Sequence, residues 1–329
     1  MVDNELAYMI NADFMHKKNI SECLARSRAR LQDLSERGDE DHIISLNEDL
    51  LGEQSPCYKK RKYIFSRLKE LLNNFQMPDN ITMFLHGSYA TGDVTSFSDI
   101  DIVLIINSEI LCNEDLQTTR DVVKALRKYI YGIDPTMHHG IDVIEKKFFQ
   151  AYDESILPVN TLENAVFLCG NSADIALSVD RNLSIKSAHK KLIEQCNALL
   201  RYDESYINFT PYRMKCIMSV LFLIPVLLLQ ADKGIFLYKR SALLQFQNEY
   251  KELNFSVVDT ATKMRGRWNT SNTSLAIRKV LFGLYPIIPS LAAGQRLAGC
   301  FFPFPRKESI EFIREAKSFA RQVNVYVKS

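Results

Sequence analysis

The sequence predicts an α+β protein in three parts: an N-terminal helical segment over residues 1–51, a compact α/β domain over 52–158, and a C-terminal all-helical domain over 159–329. Short apolar runs rich in β-branched residues fall between Met83 and Ile144, and helical periodicity flanks them on both sides. Twelve glycines and ten prolines in 329 residues are few enough to disfavour collagen-like, low-complexity and turn-rich all-β architectures. That length, with 47% hydrophobic residues, suits roughly two ordinary globular domains with a core.

Residues 18–36 and 56–76 read as helices. In the second, Ile64, Leu68, Leu71, Leu72 and Phe75 line one face between Pro56 and Pro78. Its Lys59-Lys60-Arg61-Lys62 run reads as a solvated face. Met83-Phe84-Leu85 and Asp99–Ile106 then read as strands, being too short for helices. Asn113–Tyr131 returns to helical spacing, and Gly140–Ile144 reads as a third strand. Beyond Asn160 the expectation is helical: 161–169, 184–202, 211–230, 241–252, 272–285 and 308–324.

Charge and cysteine usage narrow the function classes. Forty-one Lys and Arg against 39 Asp and Glu leave a net charge of +2, too little for a field that wraps long nucleic acid. Met1–Phe14 carries acids and no apolar run, so neither a secretory signal nor an Arg-rich transit peptide is expected. The seven cysteines form no C-x-x-C pair, which argues for reduced, cytoplasmic thiols over a disulfide framework or a zinc site. The most apolar stretch, Ile217–Leu229, contains Pro225 and falls short of the ~20 residues that span a bilayer, so it is expected to be a core helix, with no membrane partner.

The chemistry concentrates in His86-Gly87-Ser88, ten further residues, and Asp99-Ile100-Asp101. Alternation along a strand puts Asp99 and Asp101 on one face. Two partly buried carboxylates repel, a divalent cation relieves that repulsion, and all-oxygen ligation suits Mg²⁺. The Gly87-Ser88 turn can offer backbone N–H groups and a hydroxyl to phosphate oxygens. Two-metal transfer calls for a third carboxylate. Asp142, in Gly140-Ile141-Asp142-Val143-Ile144, is the first choice, and Glu145, out of phase with it, the second. His138 and His139 precede this strand and read either as an exposed loop pair or as nucleotide or metal contacts.

Gly87-Ser88, the ten-residue gap, Asp99-Ile100-Asp101 and the later Asp142 resemble the signature of the nucleotidyltransferase superfamily with the DNA polymerase β-like fold. That superfamily includes aminoglycoside nucleotidyltransferases, poly(A) polymerases, oligoadenylate synthetases and bacterial cyclic-oligonucleotide synthases. The resemblance implies a small mixed-sheet catalytic domain using two Mg²⁺ ions, with Mn²⁺ as the alternative. It also implies that Gly87 and Ser88 bind the triphosphate, Asp99 and Asp101 ligate metal, and Asp142 is the third acid. Members often offer a Lys or Arg from a helical domain to the phosphates. Arg213, Lys215, Lys239 and Arg240 are candidates here, and Lys239-Arg240, at a predicted helix start, are preferred.

Tyr89, Thr91, Asp93 and Ser96 lie between the motif halves and are candidates to line the phosphate site. Tyr63, Tyr212, Tyr238 and Trp268 are candidate base-stacking residues, or core residues. The expected activity is Mg²⁺-dependent transfer of a nucleoside monophosphate from an NTP, ATP first, to an acceptor hydroxyl on a small molecule, protein or nucleotide, with release of pyrophosphate. The competing reading is a non-catalytic nucleotide-binding or protein-interaction module on the same fold.

Overall fold

The computed structural model describes residues 38–79, 81–95, 97–106, 113–133, 141–170, 172–202, 211–237, 239–267 and 304–328. Their order is β1 (Glu40–Ser45), α1 (Tyr58–Asn73), β2 (Ile81–His86), α2 (Gly87–Thr91), β3 (Asp101–Ile106), α3 (Asn113–Ile133), β4 (Ile141–Glu145) and a 3-10 turn (Lys146–Gln150). There follow α4 (Val159–Glu163), β5 (Val166–Gly170), β6 (Asp174–Val179) and α5 (Arg181–Arg201). Then come α6 (Pro211–Leu228) with a π turn (Leu229–Lys233), α7 (Lys239–Glu249), α8 (Ser256–Gly266) and α9 (Arg306–Tyr326).

One compact unit takes in described residues 38–94 and 98–181. Its four-stranded sheet has the order β4-β3-β2-β5, with β3 and β4 parallel and β2 antiparallel to both β3 and β5. This is the mixed sheet expected from the sequence. Alternation gives it two apolar faces. Met83, Leu85, Ile102 and Leu104 pack with Ile64 and Leu68 of α1 and Val122 and Leu126 of α3. In the opposite phase, Phe84, Val103, Ile105 and Ile144 pack with Ile44 of β1 and Ile175 and Leu177 of β6, whose strands pair antiparallel as a separate ladder. Each such buried side chain contributes roughly 1.5–3 kcal/mol by leaving water.

Three strands depart from the sequence expectation. Residues 161–169 were expected to be helical, yet only the end of α4 is, and Val166–Gly170 is β5, bonded to β2. A five-residue apolar run carries no periodicity that separates a buried strand from a helix. Strand β6 alternates Ile175, Leu177 and Val179 inward in a stretch also assigned to the helical domain, and β1 lies in the segment expected to be helical over 1–51. The α/β unit thus runs on to Arg181, beyond the boundary expected at 158. The helices expected at 18–36 and 272–285 lie outside the described residues.

The second unit takes in Thr95, Phe97 and the described residues from 182 onward. Its core joins Leu192 and Cys196 of α5, Met218 and Phe222 of α6, Phe246 of α7, Val258 of α8 and Phe312 and Phe319 of α9. Helix α8 was not anticipated. The segment Met214–Lys233 is long and apolar enough to cross a membrane, but 83% of its most apolar window is buried among its neighbours, as a core helix requires. Among the described residues Cys57, Cys169 and Cys196 are free thiols.

Candidate active site

Strands β2 and β3 pair so that His86 lies directly across from Asp101, and the chain turns from His86 straight into α2. Gly87 takes φ +69°, a left-handed setting that L side chains rarely adopt. A β-carbon there would stand 2.6 Å from Asp101 Oδ2, so glycine lets the Asp101 carboxylate close on the turn. The turn ends at Gly92, φ +99°, whose N–H donates to the Ser88 carbonyl at 2.9 Å. The Thr91 hydroxyl donates to the Gly87 carbonyl at 3.3 Å, and Ser88 is half-buried.

Asp142 is the register partner of Val103 in the parallel β3–β4 pair, two residues along from Asp101. Asp101 and Asp142 therefore share a face, with α-carbons roughly 8 Å apart by strand spacing and rise. Asp142 is exposed and Asp101 half-buried, while Asp99, just before β3, is only 6% exposed. Glu145 is three residues on, in the opposite phase, completely buried and paired with Lys147 Nζ at 2.9 Å. Alternation thus separates the two acids as expected.

The donor chemistry at this end of the sheet fits a hard divalent cation: the Asp99 and Asp101 carboxylates offer only oxygen, and the glycine cradle brings Asp101 against the turn. Among the described residues, however, no group of three or more His, Cys, Asp or Glu gathers closely enough to hold an ion. Asp99, Asp101 and Asp142 are brought to one end of the sheet without closing into a three-ligand set.

Arg61 is the residue that sequence reasoning misjudged. It belongs to the basic run of α1 expected to be solvated, yet it is 1% exposed. Its Nε donates to the Tyr89 carbonyl at 2.8 Å, and its guanidinium nitrogens donate to Ala90 at 2.7 Å, Leu51 at 2.8 Å and Gly52 at 3.4 Å. Burial pulls its pKa below that of a free guanidinium, which still stays protonated. Only an apolar cradle plus four carbonyls from distant chain segments reveals such a site, and neither leaves a mark in local sequence.

The remaining candidates scatter. Tyr89 is buried with the core of the α/β unit, and Tyr63 is 65% exposed on α1. Lys215 is completely buried in the helical unit, its Nζ 5.4 Å from the Phe97 ring centre, where Arg265 also stacks at 4.8 Å. Lys239 and Arg240 open α7, as expected. Ser96, His138, His139, Tyr238 and Trp268, and the side chains of Tyr212 and Arg213, lie outside the described residues.

No curated protein matches the chain. Residues 61–167, from Arg61 through the motif turn, both acidic strands and into β5, match the family model described as a nucleotidyltransferase domain. The mixed sheet, the glycine turn closed on Asp101 and Asp142 on the same face accompany this match, and residues 61–167 are consistent with the nucleotidyltransferase superfamily.

Proposed function

We propose that the protein transfers a nucleoside monophosphate from an NTP, ATP first, to an acceptor hydroxyl. The observation that carries this reading is the contact between the Gly87 turn and the Asp101 carboxylate, because it joins a phosphate-binding element to a metal-binding one. Gly87 and Ser88 bind triphosphate oxygens, and Lys239 and Arg240 are proposed as further nucleotide-binding cations. Asp99 and Asp101, with Asp142, would hold the divalent ions, Mg²⁺ or Mn²⁺, which when bound neutralise charge on the phosphate oxygens.

Asp142, the exposed member, takes the proton of the acceptor hydroxyl as its oxygen bonds to the α-phosphorus. The bond from the α-phosphorus to the bridging oxygen breaks, and pyrophosphate leaves with that electron pair. The acceptor is a small molecule, a protein or a nucleotide, and the free thiols of the described cores favour a cytoplasmic setting.

One observation favours a second reading, a nucleotide-binding module without turnover: the three acids do not close into one ligand set. A pyrophosphate-release assay with Mg²⁺ and each of ATP, GTP, CTP and UTP separates the two. Transfer releases pyrophosphate in a nucleotide-dependent manner, whereas a binding module retains the NTP intact.

A further inference from the structure

We propose that Arg61 is a positioning residue for the nucleotide, fixing the Gly87–Gly92 turn from behind so that Gly87 and Ser88 are already set against Asp101 before an NTP arrives. This rests on the nucleotide-binding reading above.

The four side-chain hydrogen bonds of Arg61 go to carbonyls of Leu51 and Gly52, in the loop before α1, and of Tyr89 and Ala90, in the short helix α2. A position that only filled volume in this core would be served by Leu or Met. A buried guanidinium is tolerated when its donors are satisfied, and a planar fork can serve several carbonyls at once where an ammonium cannot.

The surroundings are shaped for it. A β-carbon on Gly92 would come 3.0 Å from an Arg61 guanidinium nitrogen, and one on Gly52 would come 2.7 Å from the Thr91 carbonyl. Glycine at both places lets the two segments close on the guanidinium. Two more bonds tie the same segments: the Ser55 hydroxyl donates to the Gly92 carbonyl at 2.9 Å, and the Leu51 N–H to the Ala90 carbonyl at 3.1 Å. The restraints therefore converge on the segment that carries Gly87 and Ser88. Ordering that segment in advance removes an entropic cost from nucleotide binding.

The test compares full-length wild type, Arg61→Lys, Ser88→Ala and the double variant. Amide hydrogen exchange is followed at residues 88–92 and in β3, and calorimetry follows Mg²⁺ with non-hydrolysable ATP. In Arg61→Lys, exchange in the turn should quicken about tenfold while β3 stays protected, and the Kd should rise about tenfold with a smaller change in kcat at saturation. Ser88→Ala should cost much less affinity on the Arg61→Lys background than on the wild type, because the hydroxyl is no longer held in place. If Arg61→Lys does not fold, Ser55→Ala removes a second restraint on the same turn and should shift exchange and affinity the same way, to a smaller extent. Wild-type NTP binding with unchanged exchange and affinity in the folded variant, or strictly additive losses, overturns the proposal alone. Wild-type protein that binds none of the four NTPs overturns the nucleotide reading, and this proposal with it.

Discussion

The α-carbon of Gly87 stands against the carboxylate of Asp101, leaving no room for a side chain at residue 87: a β-carbon would approach Asp101 Oδ2 to 2.6 Å. Glycine here serves two ends at once, the left-handed turn and the inward reach of the first acid of β3. Its loss would act on both the proposed phosphate element and the proposed metal seat.

Gly87→Ala should therefore be more damaging than Ser88→Ala. The left-handed backbone alone costs a non-glycine residue roughly 1–2 kcal/mol, and the added methyl also displaces the Asp101 carboxylate. Ser88→Ala removes one donor among several and should weaken NTP binding by about three- to tenfold. Thermal melts and calorimetry on both variants check the order; equal effects contradict it.

Asp142→Asn and Glu145→Gln divide by strand face. Asp142 is exposed on the face of Asp101, and Glu145 is buried in the opposite phase beside Lys147. Asp142→Asn should lower single-turnover transfer by about 10²–10⁴-fold with little change in nucleotide affinity. Glu145→Gln should shift the melting temperature and leave transfer within about threefold, since it sits outside the reacting face. The reverse pattern would make Glu145 the third acid.

Glu154 supplies a pH signature. Burial raises its carboxyl above the ordinary range, against the Val159 N–H at 2.9 Å and the neighbouring Arg181, which pull it down. Glu40, itself lowered by its bond with Arg181, pushes it up, and His42 pulls it down. A raised value means that the folded chain holds this proton where the unfolded chain releases it. The group's contribution is then full below the unfolded value near ~4.3 and lost as pH rises through the folded one. The stability of wild type relative to Glu154→Gln should accordingly decline as pH rises above the unfolded value near ~4.3, and a flat or rising difference in denaturant midpoints would contradict it.

The site was legible where chemistry and period coincide. Strand alternation was enough to place Asp142 on the face of Asp101 and Glu145 on the other, whereas Asp99 lies before β3 and outside that rule; the left-handed turn at Gly87 follows an apolar run as its glycine suggests. Strand β5 could not be separated from a helix over five apolar residues, and β6 hid its alternation next to the long α5. Arg61 was illegible for a different reason. Three neighbouring lysines make it look like a solvated cation, and its burial depends on the loop at residues 51–52 and the short helix α2 folding back onto α1. Local sequence encodes which residues can do chemistry, whereas the partners that hold them come from elsewhere in the chain.

The most direct measurement of the central claim is mass spectrometry of products after wild type and Asp101→Asn are each incubated with Mg²⁺, α-labelled NTPs and a cell extract. Wild type should attach the label to an acceptor with the mass increment of a nucleoside monophosphate, and Asp101→Asn, though folded, should lose this by orders of magnitude. Labelled product formed equally by both proteins, or by neither while NTP still binds, would contradict it.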